Sequence, residues 1–295
     1  MILGIIANTG KLKIASVVKT IISELRSLDM EFFLCQDLIE FNVVRKFVGD
    51  DSLFLPTINL VENSDIVLSV GGDGTLLTSA YSAIFQEKPV MGVNFGKLGF
   101  LAEFDKQHLH QSLIEIKSGK INIEERIILT ANTFSSREIN FHAINDIVIG
   151  KGGWPKMIEM TVKADSDYVY TFASDGLVVA TPTGSTGYSL SAGGPIVNPK
   201  ADVITLSPIS PHSLTLRPLV LPGDMKICVT IKRHPVAFQI NCDGQRVYEF
   251  HAPFEINIHK FDKKLKIVRT SLTGYFNTLR TKLLWGLDVR ENKND

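Results

Sequence analysis

Glycine, carboxylate and hydroxyl groups are concentrated at residues 71–75, which read Gly-Gly-Asp-Gly-Thr. An apolar run at 66–70 precedes this turn, and a helix-forming stretch at 76–80 follows it. Glycines let the backbone approach a bound group closely, and the start of a helix offers unpaired N–H donors to an anion. The pattern predicts a phosphate site in which Asp73 is a general base, a metal ligand or a hydroxyl acceptor. The alternative is an Asx turn with a purely structural Asp73.

Two more glycines follow the next predicted strand, in the sequence Asn-Phe-Gly-Lys-Leu-Gly-Phe-Leu at 94–101. Ligands of open α/β sheets bind outside the carboxyl ends of the strands, so this segment is a second candidate. Phe100 is able to stack on a base, although Phe100 and Leu101 also fit the core of a domain junction. The familiar phosphate loops are missing, because no G-x-G-x-x-G occurs and 92–98 lacks the spacing and the hydroxyl of a P-loop. An ordinary Rossmann dehydrogenase or Walker ATPase is therefore disfavoured.

The longest candidate, residues 175–195, is a buried strand that continues into a loop dense in glycines and hydroxyl groups. Seven Ser, Thr or Tyr residues lie between Thr181 and Ser191. Such a loop supplies neutral donors and close backbone approach, which suit ribose and phosphate oxygens. The alternative is an ordinary polar loop, which does not explain why so many hydroxyl groups are concentrated in this segment.

Two polar residues, Asn145 and Asp146, interrupt the apolar strand predicted at 143–149. Polar groups inside such a strand cost stability unless they are hydrogen-bonded. A carboxylate that takes ribose hydroxyls and an amide that reads a base would explain them. A bend or a β-bulge explains them equally well.

The composition argues against several classes of partner. The 31 basic and 31 acidic side chains cancel, so no global field attracts nucleic acid or a membrane surface, and a local charged patch is the alternative that stays open. Three scattered cysteines without a C-x-x-C pair indicate a reduced, cytoplasmic setting. Residues 1–7 read as a first strand rather than a signal peptide, and no apolar stretch approaches the length of about 18 residues that a membrane span needs. We expect no nucleic-acid partner and no membrane partner.

The predicted elements fall into two domains. In residues 1–104, strands at 2–7, 31–35, 66–70 and 89–93 alternate with helices such as 12–26, which predicts a Rossmann-like α/β domain with a mostly parallel sheet. A helix at 107–117 follows. The rest of 105–274 is rich in β-structure and predicts a sandwich. Its strands are expected at 125–133, 143–149, 157–164, 169–173, 177–181, 203–207, 226–232, 236–241, 254–259 and 264–269. A C-terminal helix within 275–290 is expected to return to the first domain.

Together these motifs resemble the bacterial NAD kinase family over nearly the whole chain. The resemblance extends to Pro-His at 211–212, Arg-Pro-Leu at 217–219, Cys-Asp-Gly-Gln at 242–245 and the segment 275–283. GGDGT alone also occurs in lipid kinases and phosphofructokinase-like enzymes, whereas the run at 181–195 is specific to this family. The resemblance implies an α/β domain joined to a β-sandwich, in a homodimer or homotetramer whose sites are completed by neighbouring subunits.

The activity implied by the resemblance is phosphorylation of the 2′-hydroxyl of the adenosine ribose of NAD, which gives NADP. ATP is the implied phosphoryl donor, Mg²⁺ the divalent metal and Asp73 the proton acceptor. No metal-binding residue is assigned. A lipid or sugar kinase that uses the same turn, or a non-catalytic NAD/NADP sensor, is the alternative.

The family's dinucleotide contacts transfer to matching positions of this chain. They are Asp73, Gly74, Phe100, Asn145, Asp146, Lys156, Ala173, Asp175, Thr183, Thr186, Gly187, Tyr188, Ser189, Leu190, Ser191 and Gln245. Without the resemblance, Lys156 reads as a solvated lysine and Gln245 as a turn residue.

Three positions depart from the common pattern of the family. Asp146 stands where many relatives have Glu, and Gly187 where the common loop has Ala. Ala173 stands where relatives often carry an Arg that bears on the choice between NAD and NADH. We therefore expect NADH to be accepted better here than in relatives with the Arg.

Overall fold

The computed structural model describes residues 1–11, 13–96, 99–102, 104, 107–133, 139–153, 155–271 and 274–284. The chain divides into a first unit, Met1–Glu124 with Leu265–Asp295, and a second unit, Glu125–Lys264. The boundaries predicted from the sequence, at 104 and 274, differ from these. The helix near 110 and the strand near 267, which the prediction placed in the β-rich domain, lie in the first unit.

Strands and helices alternate from the start of the chain to residue 126. In order they are β1 (Ile2–Ala7), α1 (Ile14–Ser27), β2 (Glu31–Cys35), α2 (Asn42–Val48), β3 (Phe54–Leu55), α3 (Thr57–Glu62), β4 (Ile66–Val70), α4 (Asp73–Phe85), β5 (Val90–Val93), α5 (Leu109–Lys117) and β6 (Asn122–Arg126), with 3₁₀ turns at Gln36–Glu40 and Asp51–Leu53.

Strands dominate the second unit. They are β7 (Leu129–Thr133), β8 (Asn140–Ala143), β9 (Asp146–Gly150), β10 (Ile158–Ala164), β11 (Asp167–Ser174), β12 (Gly176–Ala180), β13 (Val203–Ile209), β14 (Leu219–Pro222), β15 (Ile227–Ile231), β16 (Phe238–Cys242), β17 (Arg246–Phe250) and β18 (Phe254–Lys260). A 3₁₀ turn, Thr183–Thr186, and the short helix α6 (Tyr188–Ser191) follow β12. The chain then returns to the first unit with β19 (Leu265–Arg269) and α7 (Tyr275–Leu283).

The first unit is built on a seven-stranded sheet of order β3-β2-β1-β4-β5-β19-β6. β1 pairs in parallel with β2 and β4, and β5 pairs in parallel with β4 and β19. Every residue of β4 and β5 is buried, as expected for strands covered on both faces. The strand order reverses between β1 and β4, and at such a switch point a crevice opens outside the carboxyl ends of the strands. Residues 71–75 follow β4 directly, so the fold delivers this turn to the crevice.

The second unit consists of two six-stranded antiparallel sheets, β11-β10-β15-β18-β7-β8 and β14-β13-β12-β9-β16-β17. Inward-facing residues of both sheets form one apolar core, in which Ile147, Leu177 and Ile240 of one sheet join Val162 and Ile256 of the other. Strand β10 shows why, since its residues alternate between buried and exposed along the strand. The predicted fold class, a Rossmann-like α/β domain with a β-sandwich, is confirmed.

Several predicted elements need correction. The run at 125–133 is two strands, β6 and β7, and the run at 143–149 is β8 and β9 with a bend between them. β3, α2, α3, β14 and β17 were not predicted. The strand near 264–269 pairs in parallel with β5 instead of joining the sandwich, because its apolar alternation fits either sheet. The last predicted helix is α7 up to Leu283, and 285–290 lie outside the described residues.

Within the ranges given above, no helix is long and apolar enough to cross a membrane.

Candidate functional site

The carboxylate of Asp73 is held in place by three backbone amides. Asp73 is the first residue of α4, and its Oδ2 accepts the N–H of Phe100 at 2.8 Å. Its Oδ1 accepts the N–H groups of Leu101 and Ala102, both at 3.0 Å. A carboxylate offers about four acceptor positions, so one position on Oδ2 stays available to a ligand. The hydrogen bonds therefore fix the orientation of Oδ2 and leave it able to accept one more hydrogen bond.

The fit between this turn and the segment 99–102 depends on glycine. A Cβ on Gly99 would lie 1.8 Å from Oδ1 of Asp73, which no real atom pair tolerates. A Cβ on Gly71 would lie 2.2 Å from Oγ1 of Thr75. Gly74 is exposed beside the carboxylate and Phe100 is partly buried. The two predicted motifs are therefore one site, joined at Asp73.

A cavity of about 150 Å³ opens beside Gly71 in the crevice of the parallel sheet. Lys11 and Lys13, which follow β1, line it together with Asn94 and Gly96. Two ammonium groups next to a glycine turn suit an anionic ligand. The sequence reasoning missed both lysines, although their place just after the first strand was a usable signal.

In the second unit, Asn145 and Asp146 lie at the bend between β8 and β9 with their side-chain oxygens unused. Oδ1 of Asn145 is buried without a hydrogen-bond partner. Asp146 is only 5% exposed, and none of the described residues donates a hydrogen bond to its carboxyl group. A Cβ on Gly187 would lie 3.8 Å from Oδ2 of Asp146 and 3.9 Å from Nδ2 of Asn145. The fold thus brings these three predicted site residues together.

Burial changes the acidity of this carboxyl group. It raises the pKa of Asp146 to about 7, and the negative charge of Asp243 adds to the increase. Burial also raises the pKa of Asp243, against the opposing effect of its backbone N–H donors and of Arg246. Asp146 therefore changes its charge near neutral pH.

The hydroxyl-rich loop follows the end of β12 at which Ala180 pairs with Asp146. Thr183 is buried and its Oγ1 accepts a hydrogen bond from Nη1 of Arg126 at 3.3 Å, while Oγ1 of Thr186 lies 3.4 Å from the carbonyl oxygen of Thr183. Ser189 is fully buried, and its Oγ lies 3.0 Å from Oγ of Ser207. Its side chain therefore already has a partner inside the fold. By contrast, Tyr188 and Ser191 are exposed and Leu190 is partly exposed.

The remaining predicted contacts lie elsewhere in the second unit. Asp175 precedes β12 and pairs with Nζ of Lys151 at 2.7 Å, and Ala173 is close by on β11. Asp146 pairs with Ala180 at the far end of β12, so about five strand residues, or roughly 16 Å, separate the two regions. Lys156 and Gln245 are exposed in loops. Only an extended ligand reaches both ends of this strand.

Two family models match the chain. The model of the ATP-NAD kinase N-terminal domain covers residues 3–121, and the model of the ATP-NAD kinase C-terminal domain covers residues 144–270. An NAD kinase of Chloroherpeton thalassium is 34% identical over 284 residues, which are 96% of this chain and 97% of that protein. An NAD kinase of Chlorobium phaeovibrioides is 41% identical over 237 residues, or 79% of this chain and 83% of that protein.

Solved structures agree with the sequence relatives. The crystal structure of yeast NADH kinase complexed with NADH matches with a TM-score of 0.89 and 26% identity, over 99% of this chain and 90% of that one. An NAD kinase from Archaeoglobus fulgidus in complex with ATP matches with a TM-score of 0.73 and 27% identity, over 96% of this chain and 99% of that one. Since both halves of the sequence and both folded units agree, the chain belongs to the NAD kinase family.

Proposed function

We propose separate roles for Asp73 and for the pair Asn145 and Asp146 in the reaction of this enzyme, the ATP-dependent phosphorylation of NAD to NADP. Asp73 accepts the proton of the adenosine 2′-hydroxyl as that oxygen attacks the terminal phosphate of ATP. Asn145 and Asp146 hold the adenosine, with the amide on the base and the carboxylate on the ribose. The bond formed is between the ribose oxygen and phosphorus, the bond broken is between phosphorus and the bridging oxygen, and ADP leaves.

The observation that carries this proposal is the state of the Asp73 carboxylate. Three backbone N–H groups fix its orientation, and one acceptor position on Oδ2 remains for a hydroxyl group. A carboxylate that is held in one orientation and keeps a free acceptor position is suited to general-base catalysis. The second half of the proposal is supported by Oδ1 of Asn145, because a buried polar atom without a partner is costly unless a ligand satisfies it. The largely buried carboxyl group of Asp146 lies beside it.

The other site residues contribute contacts of several kinds along the extended dinucleotide. In this proposal they are Gly74, Phe100, Lys156, Ala173, Asp175, Thr183, Thr186, Gly187, Tyr188, Ser189, Leu190, Ser191 and Gln245. Because the hydroxyl group of Ser189 has a partner in Ser207, we assign the contact of Ser189 to its backbone.

We assign the cavity beside Gly71 to the triphosphate of ATP, whose charge Lys11 and Lys13 balance. Within the described ranges, no group of three or more His, Cys, Asp or Glu residues has the geometry of a metal site. Mg²⁺ in proteins is often held largely by substrate phosphates and water. We therefore treat the ion as part of the substrate Mg·ATP, in which it neutralises the charge of the triphosphate.

We also propose that the enzyme accepts NADH, acts in the cytoplasm and assembles as a homodimer or homotetramer whose sites neighbouring subunits complete. Ala173 places a methyl group where an Arg would bring a guanidinium close to the Lys151–Asp175 pair, which supports the first point. The kinship in fold with yeast NADH kinase supports it too. Three free cysteines, Cys35, Cys228 and Cys242, fit a reducing compartment.

The test is to incubate the purified protein with ATP, Mg²⁺ and NAD or NADH and to identify the product by mass spectrometry. We expect NADP or NADPH with the new phosphate on the adenosine 2′-oxygen. Tight binding of NAD without any phosphorylated product would favour a sensor, and phosphorylation of diacylglycerol or a sugar phosphate in its place would favour the other kinases that share the turn.

A further inference from the structure

The backbone of residues 144–146 is hydrogen-bonded to the carboxylate of Asp243, a residue that is distant in the sequence. Oδ1 of Asp243 accepts the N–H of Asn145 at 2.7 Å and that of Asp146 at 3.3 Å. Oδ2 of Asp243 accepts the N–H of Ile144 at 3.1 Å. The backbone N–H of Asp243 in turn donates to the carbonyl oxygen of Asp146 at 3.0 Å. The side chain of Asp243 thus accepts all three backbone N–H groups of residues 144–146.

A threonine holds the opposite side of the same segment. The hydroxyl group of Thr181 donates to the carbonyl oxygen of Ile144 at 2.7 Å, and the backbone N–H of Thr181 donates to that of Asn145 at 2.9 Å. The N–H of Gly184 donates to Oγ1 of Thr181 at 3.1 Å, and a Cβ on Gly184 would lie 2.1 Å from the carbonyl oxygen of Asn145. The loop therefore packs directly on the segment.

The cost of this arrangement indicates that it serves a purpose. The Asp243 side chain is 1% exposed and pairs with Nη2 of Arg246 at 2.8 Å. A buried carboxylate is expensive, and here three backbone donors and one guanidinium compensate it. Within residues 144–146, Asp243 binds only main-chain N–H groups, while the side-chain oxygens of Asn145 and Asp146 are left without partners among the described residues. A segment that is fixed in its backbone and free at its side chains is preorganised to bind.

We propose that Asp243 and Thr181 are positioning residues for the dinucleotide. They fix the backbone of 144–146 from two sides so that Asn145 and Asp146 present their unpaired oxygens to the adenosine of NAD. Neither positioning residue needs to touch the ligand. The inference rests on the proposed role of Asn145 and Asp146 in NAD binding.

A matched pair of variants at Thr181 tests the inference. Thr181→Val keeps the shape of the side chain and removes the hydroxyl group, whereas Thr181→Ser keeps the hydroxyl group. We expect Thr181→Val to raise the Kd for NAD, measured by calorimetry, and the KM for NAD at least about tenfold, because the two buried hydrogen bonds of the Thr181 hydroxyl group are lost and one side of the segment is held less tightly. Thr181→Ser should stay within about threefold of the native protein, and the KM for ATP should change less than about twofold in both variants.

Asp243→Asn provides an independent arm with Asp202→Asn as its control. Asp202 is an exposed carboxylate of the same unit that pairs with Lys260, so its replacement also removes one ion pair. We expect Asp243→Asn to weaken NAD binding more than Thr181→Val does, and Asp202→Asn to leave it unchanged. If Asp243→Asn does not fold, the Thr181 pair decides alone.

A purely structural role would give a different result. It would reduce the fraction of folded enzyme and hence the apparent kcat, with the Kd and the KM for NAD unchanged in the folded molecules. That outcome, or equal NAD affinity of Thr181→Val and Thr181→Ser, overturns the inference. If the native protein binds NAD without forming NADP, the proposed reaction fails, whereas the ratio of NAD affinities between the two Thr181 variants still tests the positioning role.

Discussion

Oδ2 of Asp73 accepts the backbone N–H of Phe100 at 2.8 Å, so the turn after β4 and the segment after β5 meet at one carboxylate. This contact explains why residue 99 is a glycine, since Gly99 packs against the same carboxylate. It also ties the orientation of the proposed base to the conformation of residues 99–102. Substitutions in that segment should therefore affect catalysis without altering the base itself.

Gly99→Ala should lower kcat by about tenfold or more while Asp73 is still present. The added Cβ would lie 1.8 Å from Oδ1, so the carboxylate or the segment must move. Misorientation of a base weakens proton transfer in the transition state. Steady-state kinetics with NAD and ATP measure the effect. Gly274→Ala is the control in the same unit, because no atom of the residues that the structure describes lies within 4 Å of its added Cβ. Equal losses in both variants would contradict the argument.

The kcat/KM for NAD should fall as the pH decreases below about 7. This parameter reports the free enzyme, in which the pKa of Asp146 is about 7, and the protonated carboxyl group is a poorer acceptor for ribose hydroxyls. The negative charge of Asp243 adds to the raised pKa of Asp146, and Asp243 itself pairs with Arg246. In Asp146→Asn the value should be lower at pH 8 and nearly independent of pH between 6 and 8. An unchanged acidic limb in that variant would assign the titration to another group.

The same carboxyl group should make stability depend on pH in the opposite direction to ordinary carboxylates. Its pKa is raised in the folded protein above the unfolded value, so the folded state binds more protons between about pH 4 and 7. The contribution of Asp146 is therefore most favourable at low pH and is lost as the pH rises through 7. Asp146→Asn should raise the melting temperature relative to the native protein more at pH 8 than at pH 5. A difference that is equal at both pH values would contradict the raised pKa.

Ala173→Arg should reduce the rate with NADH relative to NAD by about tenfold, or about 1.4 kcal/mol of discrimination. The guanidinium would bring a second cation and a longer side chain to the strand beside the Lys151–Asp175 pair. Initial rates with the two dinucleotides give the ratio. Tyr168→Arg adds the same charge at an exposed position of the same strand and should leave the ratio unchanged. Comparable NADH rates for Ala173→Arg and the native protein would disprove the role of this position.

Replacing both Lys11 and Lys13 with Gln should raise the KM for ATP about tenfold and leave the KM for NAD within about twofold. Each ammonium group in the cavity beside Gly71 balances part of the triphosphate charge, and ion pairs with phosphate contribute of the order of 1 kcal/mol each. Lys46→Gln is the control, since Lys46 is exposed on α2. A raised KM for NAD with an unchanged KM for ATP would show that ATP does not bind in this cavity.

Much of the fold and of the site follows from local sequence patterns. The alternation of apolar runs and helical periodicity predicts the parallel sheet, and the glycine turns after β4 and β5 mark its crevice. The polar pair at 145–146 and the hydroxyl-rich loop mark the second group of site residues. Each of these signals lies within a few adjacent residues, which is why it is readable without a structure.

What the sequence does not reveal depends on contacts between distant residues. Asp243 binds the backbone of residues that precede it by 97 to 99 positions, and a Cys-Asp-Gly-Gln turn gives no local signal of that contact. β19 reads like a sandwich strand because strand patterns do not specify the partner sheet. β17 contains two charged residues, Arg246 and Glu249, on a sheet edge, and β14 has two exposed residues and ends in Pro222, so neither has the apolar run of a central strand.

The most direct test of the account is the rate of phosphoryl transfer in Asp73→Asn, measured in single turnovers beside the native enzyme and Gly99→Ala. All three proteins are first titrated with NAD, so that loss of binding is separated from loss of chemistry. The account predicts that Asp73→Asn binds NAD within about threefold of the native affinity and forms NADP at least about a hundredfold more slowly, well below Gly99→Ala. A rate in Asp73→Asn equal to that of Gly99→Ala would show that the carboxylate orders residues 99–102 and is not the base.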